Sequence, residues 1–288
     1  MAELLPADST MGAVTLRVAD LDTLTAYYRD AVTLSVLTAE GERVVLGRGS
    51  VPAVILEHAP ELRHAGPGEA GLFHTAILFD SEEALAAAVH SVARHAPGTF
   101  TGSADHLVSK AFYFTDPEGN GVELYWDRDR SQWSWTHGQV EMDRLFIDPN
   151  QFLQEHLTER GAALAEGATP FGEAAVGHIH LSIGDLASAR EFYAERLGFE
   201  VTATFGNSAL FVSAGGYHHH LGMNTWNSRG AGRRGLALGL GEVEIRVPGR
   251  DDLGALTERM QHYGVPTRDD GRTVSFEDPW ANAVRVVA

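Results

Sequence analysis

The chain of 288 residues is long enough for two domains of ordinary size, each with its own apolar core. Hydrophobic residues make up 44% of it and charged residues 21%, as in a globular protein, while a formal net charge of −17 argues against nucleic acid or an anionic membrane as a partner. Cysteine is absent, which excludes disulfides, thiol nucleophiles and thiolate metal sites.

The first residues do not combine a basic start with a long apolar run, and no segment reaches about 18 consecutive apolar residues. We therefore expect a soluble, cytoplasmic protein. Any metal would have to bind histidine and carboxylate, a ligand set that suits Fe(II), Mn(II) or Zn(II).

The strongest structural signal is an internal repeat. Residues 12–28 and 177–193 align without a gap, and each reads as an alternating strand, an aspartate N-cap and a helix with an aromatic pair. The two caps are Asp20 and Asp185. Short strands are predicted after these helices, at 43–46, 53–57, 208–213 and 217–224.

Two looser copies of the repeat complete the chain. One has a strand at 72–79, a Ser81 cap, a helix from 82 to about 96 and strands at 112–116 and 121–126. The other has a strand at 242–247, a helix at 252–263 and strands at 273–277 and 283–287. The sequence therefore predicts an α+β fold of four β-α-β-β-β units.

These units divide the sequence into two halves. Residues 10–128 hold units one and two, and residues 171–288 hold units three and four. The stretch 129–170 between them reads as an ordered linker, because it carries Trp133, Trp135 and a predicted helix at 150–159.

A tight turn at 116–121 joins two strands of the second unit. Its Asp-Pro-Glu-Gly-Asn-Gly sequence has the residues that a chain reversal requires. Tyr113 and Glu123 lie on the polar side of strands whose other side is apolar. A carboxylate there is either exposed to solvent or, if buried, must be paired or bind a metal.

Three motifs together resemble the vicinal-oxygen-chelate superfamily, which includes glyoxalases, bleomycin-resistance proteins and dioxygenases. They are the strand-Asp-helix-Phe-Tyr-x-x-x-Leu-Gly pattern at 177–198, Asp-Pro-x-Gly-Asn-Gly-x-Glu at 116–123, and the Gly-Gly-Tyr-His-His-His-Leu-Gly-Met-Asn-Thr-Trp run at 215–226. Within the superfamily, the chain is similar to two-domain extradiol (catechol 2,3-) dioxygenases. The resemblance implies that the four units form two half-barrels.

The resemblance also implies a metal site. Each unit of such a protein can offer one ligand from its first strand and one from its last, and carrying these positions over leaves His74, Glu123 and His178. The corresponding positions in the other units hold Ala13, Glu242 and Arg285, of which only Glu242 could ligate a metal. His180 shares a strand face with His178 and stays an alternative, although the repeat alignment favours His178.

For these three ligands to meet, unit two must pair with unit three. Units one and four would then form the other half-barrel, which we expect to be metal-free. Two imidazoles and one carboxylate would leave open positions for a substrate diol and for O2.

The resemblance further implies a catalytic group of His219, Tyr113 and His106. Alternation along a strand at 217–224 would place His218 and His220 on one face and His219 on the other, so which of them faces the site is left open, as is a fourth metal ligand from this run. Asn224 and Trp226 are interpreted as pocket wall or core.

The function implied is an Fe(II)-dependent extradiol dioxygenase of aromatic catabolism, with Mn(II) as the alternative metal. Its partners would be a small aromatic diol and O2, and a homo-oligomer is left open. The alternatives are a glyoxalase-type metal-dependent lyase or isomerase and a metal-free protein that binds small molecules.

Overall fold

Four β-α-β-β-β units build the part of the chain that the computed structural model describes, residues 4–288. The first unit contains β1 (Thr10–Val18), α1 (Leu21–Ala26), a π-helical turn (Tyr27–Ala31), β2 (Ser35–Glu40), β3 (Arg43–Arg48) and β4 (Val51–His58). The second contains β5 (Gly71–Phe79), α2 (Glu82–His95), β6 (Phe100–Asp105), β7 (Ser109–Thr115) and β8 (Gly121–Asp127).

The linker is ordered and leads into the second half of the chain. It contains a small hairpin of β9 (Trp135–Thr136) and β10 (Gln139–Val140), followed by α3 (Pro149–His156) and α4 (Glu159–Ala162). The single helix predicted at 150–159 is wrong in this respect, because Leu157 and Thr158 are extended and the Thr158 side chain caps a second helix.

Units three and four repeat the same order of elements. The third contains β11 (Ala174–Ser182), α5 (Leu186–Ala189), a π-helical turn (Arg190–Arg196), β12 (Glu200–Phe205), β13 (Ala209–Ser213) and β14 (Leu221–Asn224). The fourth contains β15 (Gly239–Arg246), α6 (Arg250–His262), β16 (Arg268–Asp269), β17 (Thr273–Glu277) and β18 (Ala283–Val287). Short 3-10 turns lie at Pro97–Thr99, Arg130–Gln132 and Ala163–Glu166.

The predicted α+β fold of four units in two half-barrels is confirmed. In each unit, however, the sequence patterns located only two of the three strands that follow the helix. The additional strand follows the helix in each unit and lies at the edge of a sheet. These edge strands are β2, β6, β12 and β16, and most of their residues are at least partly exposed. The apolar alternation that identifies a half-buried strand is therefore weak in them.

The four units pair into two curled sheets of eight strands each. We call them the 1/4 sheet, with strand order β16-β17-β18-β15-β1-β4-β3-β2, and the 2/3 sheet, with order β12-β13-β14-β11-β5-β8-β7-β6. Antiparallel pairs of first strands, β1 with β15 and β5 with β11, join the units. The predicted pairing of unit two with unit three is thus confirmed. The boundaries of the two sequence halves stay a prediction, and each sheet takes one unit from each half.

A continuous apolar core lies between the sheets and includes residues of the helices. It contains strand residues such as Leu16, Ile77 and Ile179, which are fully buried, and helical residues such as Leu85 and Leu256. The opposite, concave face of each sheet forms a cup. In residues 4–288 no helix is both long enough and apolar enough to cross a membrane.

Candidate metal centre

The cup of the 2/3 sheet brings His74, Glu123 and His178 together. His74 Nε2 lies 2.9 Å and His178 Nε2 lies 3.3 Å from the same carboxylate oxygen, Oε2 of Glu123. One candidate ligand atom from each residue lies within 4.8 Å of the others, and all three residues are buried. Among residues 4–288 no other group of three histidine or acidic residues meets this criterion.

Sheet register places these residues side by side. Ala76 on β5 lies opposite Glu123 on one neighbouring strand and opposite His178 on the other. Because alternate residues of a strand share a face, His74 points into the cup together with Ala76. The three side chains therefore come from three adjacent strands, two of unit two and one of unit three.

The charges at this point favour binding of a cation. Burial lowers the pKa of His178 to about 4, so its imidazole is neutral at neutral pH and has a nitrogen lone pair available. Burial alone would raise the pKa of Glu123, but the two imidazoles hold that pKa well below its usual value. The cup thus presents an ionised carboxylate and neutral nitrogen in a buried setting.

The hydrogen bonding of His74 indicates that these residues fit a metal ion. Its Nε2 atom is buried and has no hydrogen-bond partner among the described residues, although it lies beside Glu123. A buried polar atom without a partner is costly, and coordination of an ion would remove that cost. Two imidazoles and one carboxylate form the donor set that Fe(II), Mn(II) and Zn(II) accept.

Tyr113 and His106 lie next to this group and contact each other. Tyr113 is directly opposite Glu123 in the β7–β8 register. Nδ1 of His106 lies 2.7 Å from the Asp143 carbonyl and its Nε2 lies 2.6 Å from the Tyr113 hydroxyl. Because a carbonyl only accepts, Nδ1 of a neutral His106 carries the proton and Nε2 accepts from Tyr113. His106 therefore orients the Tyr113 hydroxyl, and burial raises the pKa of Tyr113 well above its usual value.

The three consecutive histidines do not lie on a strand, so the strand predicted at 217–224 is wrong over its first four residues. The preceding residues Gly215 and Gly216 have φ angles of 62° and 67°, a left-handed conformation that interrupts extended structure. The chain bends through 217–220, and β14 begins only at Leu221.

Of the three, His219 is the one that lines the cup. Its ring centroid lies 4.1 Å from that of His178. His220 instead lies 3.0 Å from the Ser213 hydroxyl through its Nδ1 atom, and burial lowers its pKa to about 3. His218 is fully buried and also lies outside the cavity.

His180, the alternative ligand, is engaged elsewhere. Its Nε2 atom accepts from the Asn224 amide at 3.0 Å, and its ring packs against Phe73 at a centroid distance of 5.1 Å. Gly222 lies opposite His180, and a Cβ atom at that position would be 2.9 Å from His180 Nδ1. His180 is therefore part of the cavity wall, next to the candidate ligands.

A cavity of about 580 Å³ opens above the candidate ligands. Aromatic and aliphatic side chains form most of its wall, and the linker closes one side of it. The apolar side chains are Phe73, Val108, Phe114, Val122, Met142, Phe205, Phe211 and Trp226. Their arrangement is suited to hold a planar apolar ring above the ligand group.

Sequence patterns gave no role to Asp127, Phe73 or Phe211 at this site, and for His218 they left open whether it faces the cavity. Phe73 directly precedes His74 on β5, where alternation along a strand would place it on the opposite face, yet it lines the cavity. Asp127 is the last residue of β8, and its contact with His218 joins residues that are distant in sequence, for which no local pattern exists. Trp226, interpreted from sequence as pocket wall or core, lines the cavity.

The cup of the 1/4 sheet holds an ion-pair cluster at the corresponding place. Arg285 Nε lies 3.0 Å from Glu242, and Arg285 Nη2 lies 2.8 Å from Glu244. Glu242, the remaining position that could ligate a metal, is therefore paired with an arginine. Ala13, Val45 and Ile55 form a small apolar cluster on the other side of the same cup.

Sequence comparison finds one family model and one relative that match most of this chain. A family model described as the glyoxalase/bleomycin resistance protein/dioxygenase superfamily matches residues 10–124 and 175–286. A protein of Bacillus subtilis (strain 168) named catechol-2,3-dioxygenase is 33% identical over 288 residues, which cover 96% of either chain.

Solved structures with the same fold include proteins of different activities. A candidate dioxygenase from Bacillus subtilis subsp. subtilis strain 168 matches with a TM-score of 0.63 at 14% identity, covering 96% of this chain and 85% of that one. Glyoxalase I from Zea mays matches with a TM-score of 0.56 at 17% identity, covering 97% and 92%. At these identities the likeness concerns the fold alone.

Proposed function

This chain belongs to the glyoxalase/bleomycin resistance protein/dioxygenase superfamily, and from that premise we propose that it is an extradiol ring-cleaving dioxygenase. Its substrate would be a catechol-like aromatic diol, and its resident metal Fe(II), with Mn(II) as the alternative. The relative named catechol-2,3-dioxygenase supports the reaction class. The observation that carries the proposal is the convergence of two imidazole nitrogens and one carboxylate oxygen at the base of an aromatic-walled cavity.

In this proposal His74, Glu123 and His178 hold the ion. Three protein ligands leave several positions of an octahedral ion open, and a bound ion supplies sites where the diol and O2 meet and exchange electrons. The reaction would break the ring C–C bond beside the diol, and both atoms of O2 would enter the product, so no further reductant is required.

The remaining residues of the site would orient the diol and move its protons. The Tyr113 hydroxyl, held by His106, is placed to hydrogen-bond a diol oxygen next to Glu123. His219 lies against His178, where a neutral imidazole can accept a diol proton and later return it. The aromatic wall keeps water away from the ring and strengthens these polar interactions.

The cavity favours a diol with an apolar substituent. A cavity of about 580 Å³ is several times the volume of a single six-membered ring. Phe73, Phe211 and Trp226 surround the space beside the candidate ligands. We therefore expect alkyl- or aryl-substituted catechols to have higher kcat/KM than catechol itself.

The test combines metal analysis with oxygen uptake. The purified protein, loaded anaerobically with Fe(II), should bind one ion per chain and consume O2 with substituted catechols, giving a yellow ring-opened product. Mn(II) and Zn(II) loading in parallel identifies the metal that supports turnover. A metal-loaded protein that consumes no O2 with any diol would contradict the proposal. Isomerisation of a hemithioacetal without O2 would then identify a glyoxalase-type enzyme, and absence of bound metal would identify a binding protein.

A cytoplasmic location and the absence of nucleic-acid and membrane partners stay predictions that rest on the net charge and hydropathy of the sequence.

A further inference from the structure

A line of polar contacts leads from the cavity to Asp127 at the end of β8. His219 lines the cavity, and its Nδ1 atom lies 2.7 Å from Nδ1 of His218. The other nitrogen of His218, Nε2, lies 2.8 Å from Oδ1 of Asp127. Asp127 joins this line across a wide sequence separation, because β8 and the bend at 217–220 meet beside the cup.

The chemistry of the end group fixes the proton positions along this line. An ionised carboxylate can only accept, so Nε2 of His218 must carry a proton. If His218 is neutral, its Nδ1 atom is then an acceptor, and the proton between the two rings belongs to Nδ1 of His219. Nε2 of a neutral His219 then carries no proton, and its lone pair can accept one.

We propose that Asp127 and His218 are positioning residues that hold His219 in the Nδ1–H tautomer, with the lone pair of Nε2 available to the cavity. This inference rests on the proposed function, in which His219 accepts a proton from the substrate diol. In the opposite tautomer Nε2 would carry a hydrogen and could not accept one.

Packing keeps the His218 ring in place. It is fully buried and packs against both Trp133 and Tyr217, at centroid distances of 5.2 and 4.1 Å. A ring flip would therefore need the neighbouring side chains to move.

The second oxygen of Asp127 is also held. The Tyr217 hydroxyl donates to Oδ2 at 2.7 Å, and the Tyr125 hydroxyl lies 2.8 Å from that of Tyr217. Gly177 makes room for Tyr125, because a Cβ atom there would lie 1.7 Å from the tyrosine oxygen. Asp127 is thus fixed from both sides, as expected of a residue that orients another.

The direct test is the tautomer of His219 in the wild-type chain. The protein is loaded with Zn(II), a diamagnetic probe ion, and long-range 1H–15N spectra are recorded, with His219→Gln and His218→Asn used for assignment. We expect Nδ1–H on His219 and Nε2–H on His218. An Nε2–H tautomer of His219 in the folded wild-type protein would overturn the proposal, whatever the activity of the protein.

Two substitutions of His218 separate its role in orientation from its role in packing. His218→Phe keeps a ring packed against Trp133 and Tyr217 but removes the acceptor. His218→Asn loses packing but places an amide oxygen near the former Nδ1 position. If orientation matters, we expect kcat to fall about 10²-fold in His218→Phe and less than tenfold in His218→Asn, with metal content unchanged in both.

The opposite order of the two variants would identify a packing role and overturn the proposal. The His219 spectrum of each variant gives a second readout, since His218→Asn should keep Nδ1–H and His218→Phe should lose it. If the wild-type protein binds metal but turns over no diol, the proposed function fails while the spectra still decide the tautomer. If His218→Phe does not fold, the wild-type spectrum remains decisive.

Discussion

The two cups share one topology and differ in the charge at their centre. In the 2/3 sheet, Ala76 and Glu123 lie opposite each other on paired parallel strands, and in the 1/4 sheet the corresponding pair is Glu244 and Arg285. Arg285 thus stands where Glu123 stands, and its guanidinium lies between two carboxylates. One cup presents a carboxylate with two imidazoles. In the other cup, the cation is the guanidinium group of Arg285.

This difference shows that the fold does not by itself create the candidate metal site. Both cups have curled sheets of eight strands and the same strand order. What differs is the side chain at a few register positions, so function follows from the site and not from the fold. The comparison predicts that equivalent substitutions in the two cups will have different effects.

The largest effect is expected for loss of the carboxylate ligand. Glu123→Gln keeps the shape of the side chain but removes its negative charge. We therefore expect loss of the metal and a decrease in activity on the order of 10³-fold or more. The matched control is Glu242→Gln in the other cup, which should leave metal content unchanged. Metal analysis and oxygen uptake measure both variants, and equal metal loss in the two would remove the distinction between the cups.

A smaller effect is expected for the residue opposite the carboxylate. Tyr113→Phe removes the hydroxyl that His106 orients, and we expect kcat to fall about 10²-fold while the metal stays bound. In the 1/4 sheet, Ser275 lies opposite Arg285, so Ser275→Ala is the control. Loss of metal in Tyr113→Phe would show that this tyrosine supports the ligands and not the substrate.

For the 1/4 sheet, the expected effect is on stability. Arg285→Ala leaves Glu242 and Glu244 without their shared cation, and we expect the free energy of unfolding to fall by about 2 kcal/mol. Urea denaturation measures the change, and oxygen uptake by the folded protein should stay as in the wild type. A change in kcat without a change in stability would indicate that this cup takes part in catalysis.

The smallest effect is expected where the two halves of the chain are alike. Tyr28 donates to Asp116 and Tyr193 donates to Asp278, in both cases from a helix to the turn before a last strand. We expect Tyr28→Phe and Tyr193→Phe each to lower the free energy of unfolding by about 1 kcal/mol. Thermal unfolding measures the loss of stability in each variant. A clear difference between the two losses would show that the two hydrogen bonds are alike in geometry but not in energy.

Much of the fold could be predicted because its signals are local. The caps at Asp20, Ser81 and Asp185 each accept a backbone N–H as an N-cap should, and the long alternating strands are where the periodicity placed them. The edge strands escaped detection, because an exposed strand such as Phe100–Asp105 has no apolar side to reveal it.

The candidate ligands were implied by the resemblance to the superfamily, and the repeat allowed its ligand positions to be carried from unit to unit. The bend at 217–220 was missed although Gly215 and Gly216 precede it, since the apolar residues after the histidines favoured one continuous strand. The contact between Asp127 and His218 could not be predicted at all, because it depends on how two units pack and not on any local pattern.

The pairing of the first unit with the fourth has a consequence for biosynthesis. As the polypeptide leaves the ribosome, β5 and β11 can pair once the third unit has emerged, whereas β1 must wait for β15 near the end of translation. Contacts between residues so distant in sequence form slowly, and an unpaired strand edge invites aggregation in the meantime. The nascent chain would therefore complete the 2/3 sheet first. Completion of the 1/4 sheet would then be the folding step at which chaperones matter most.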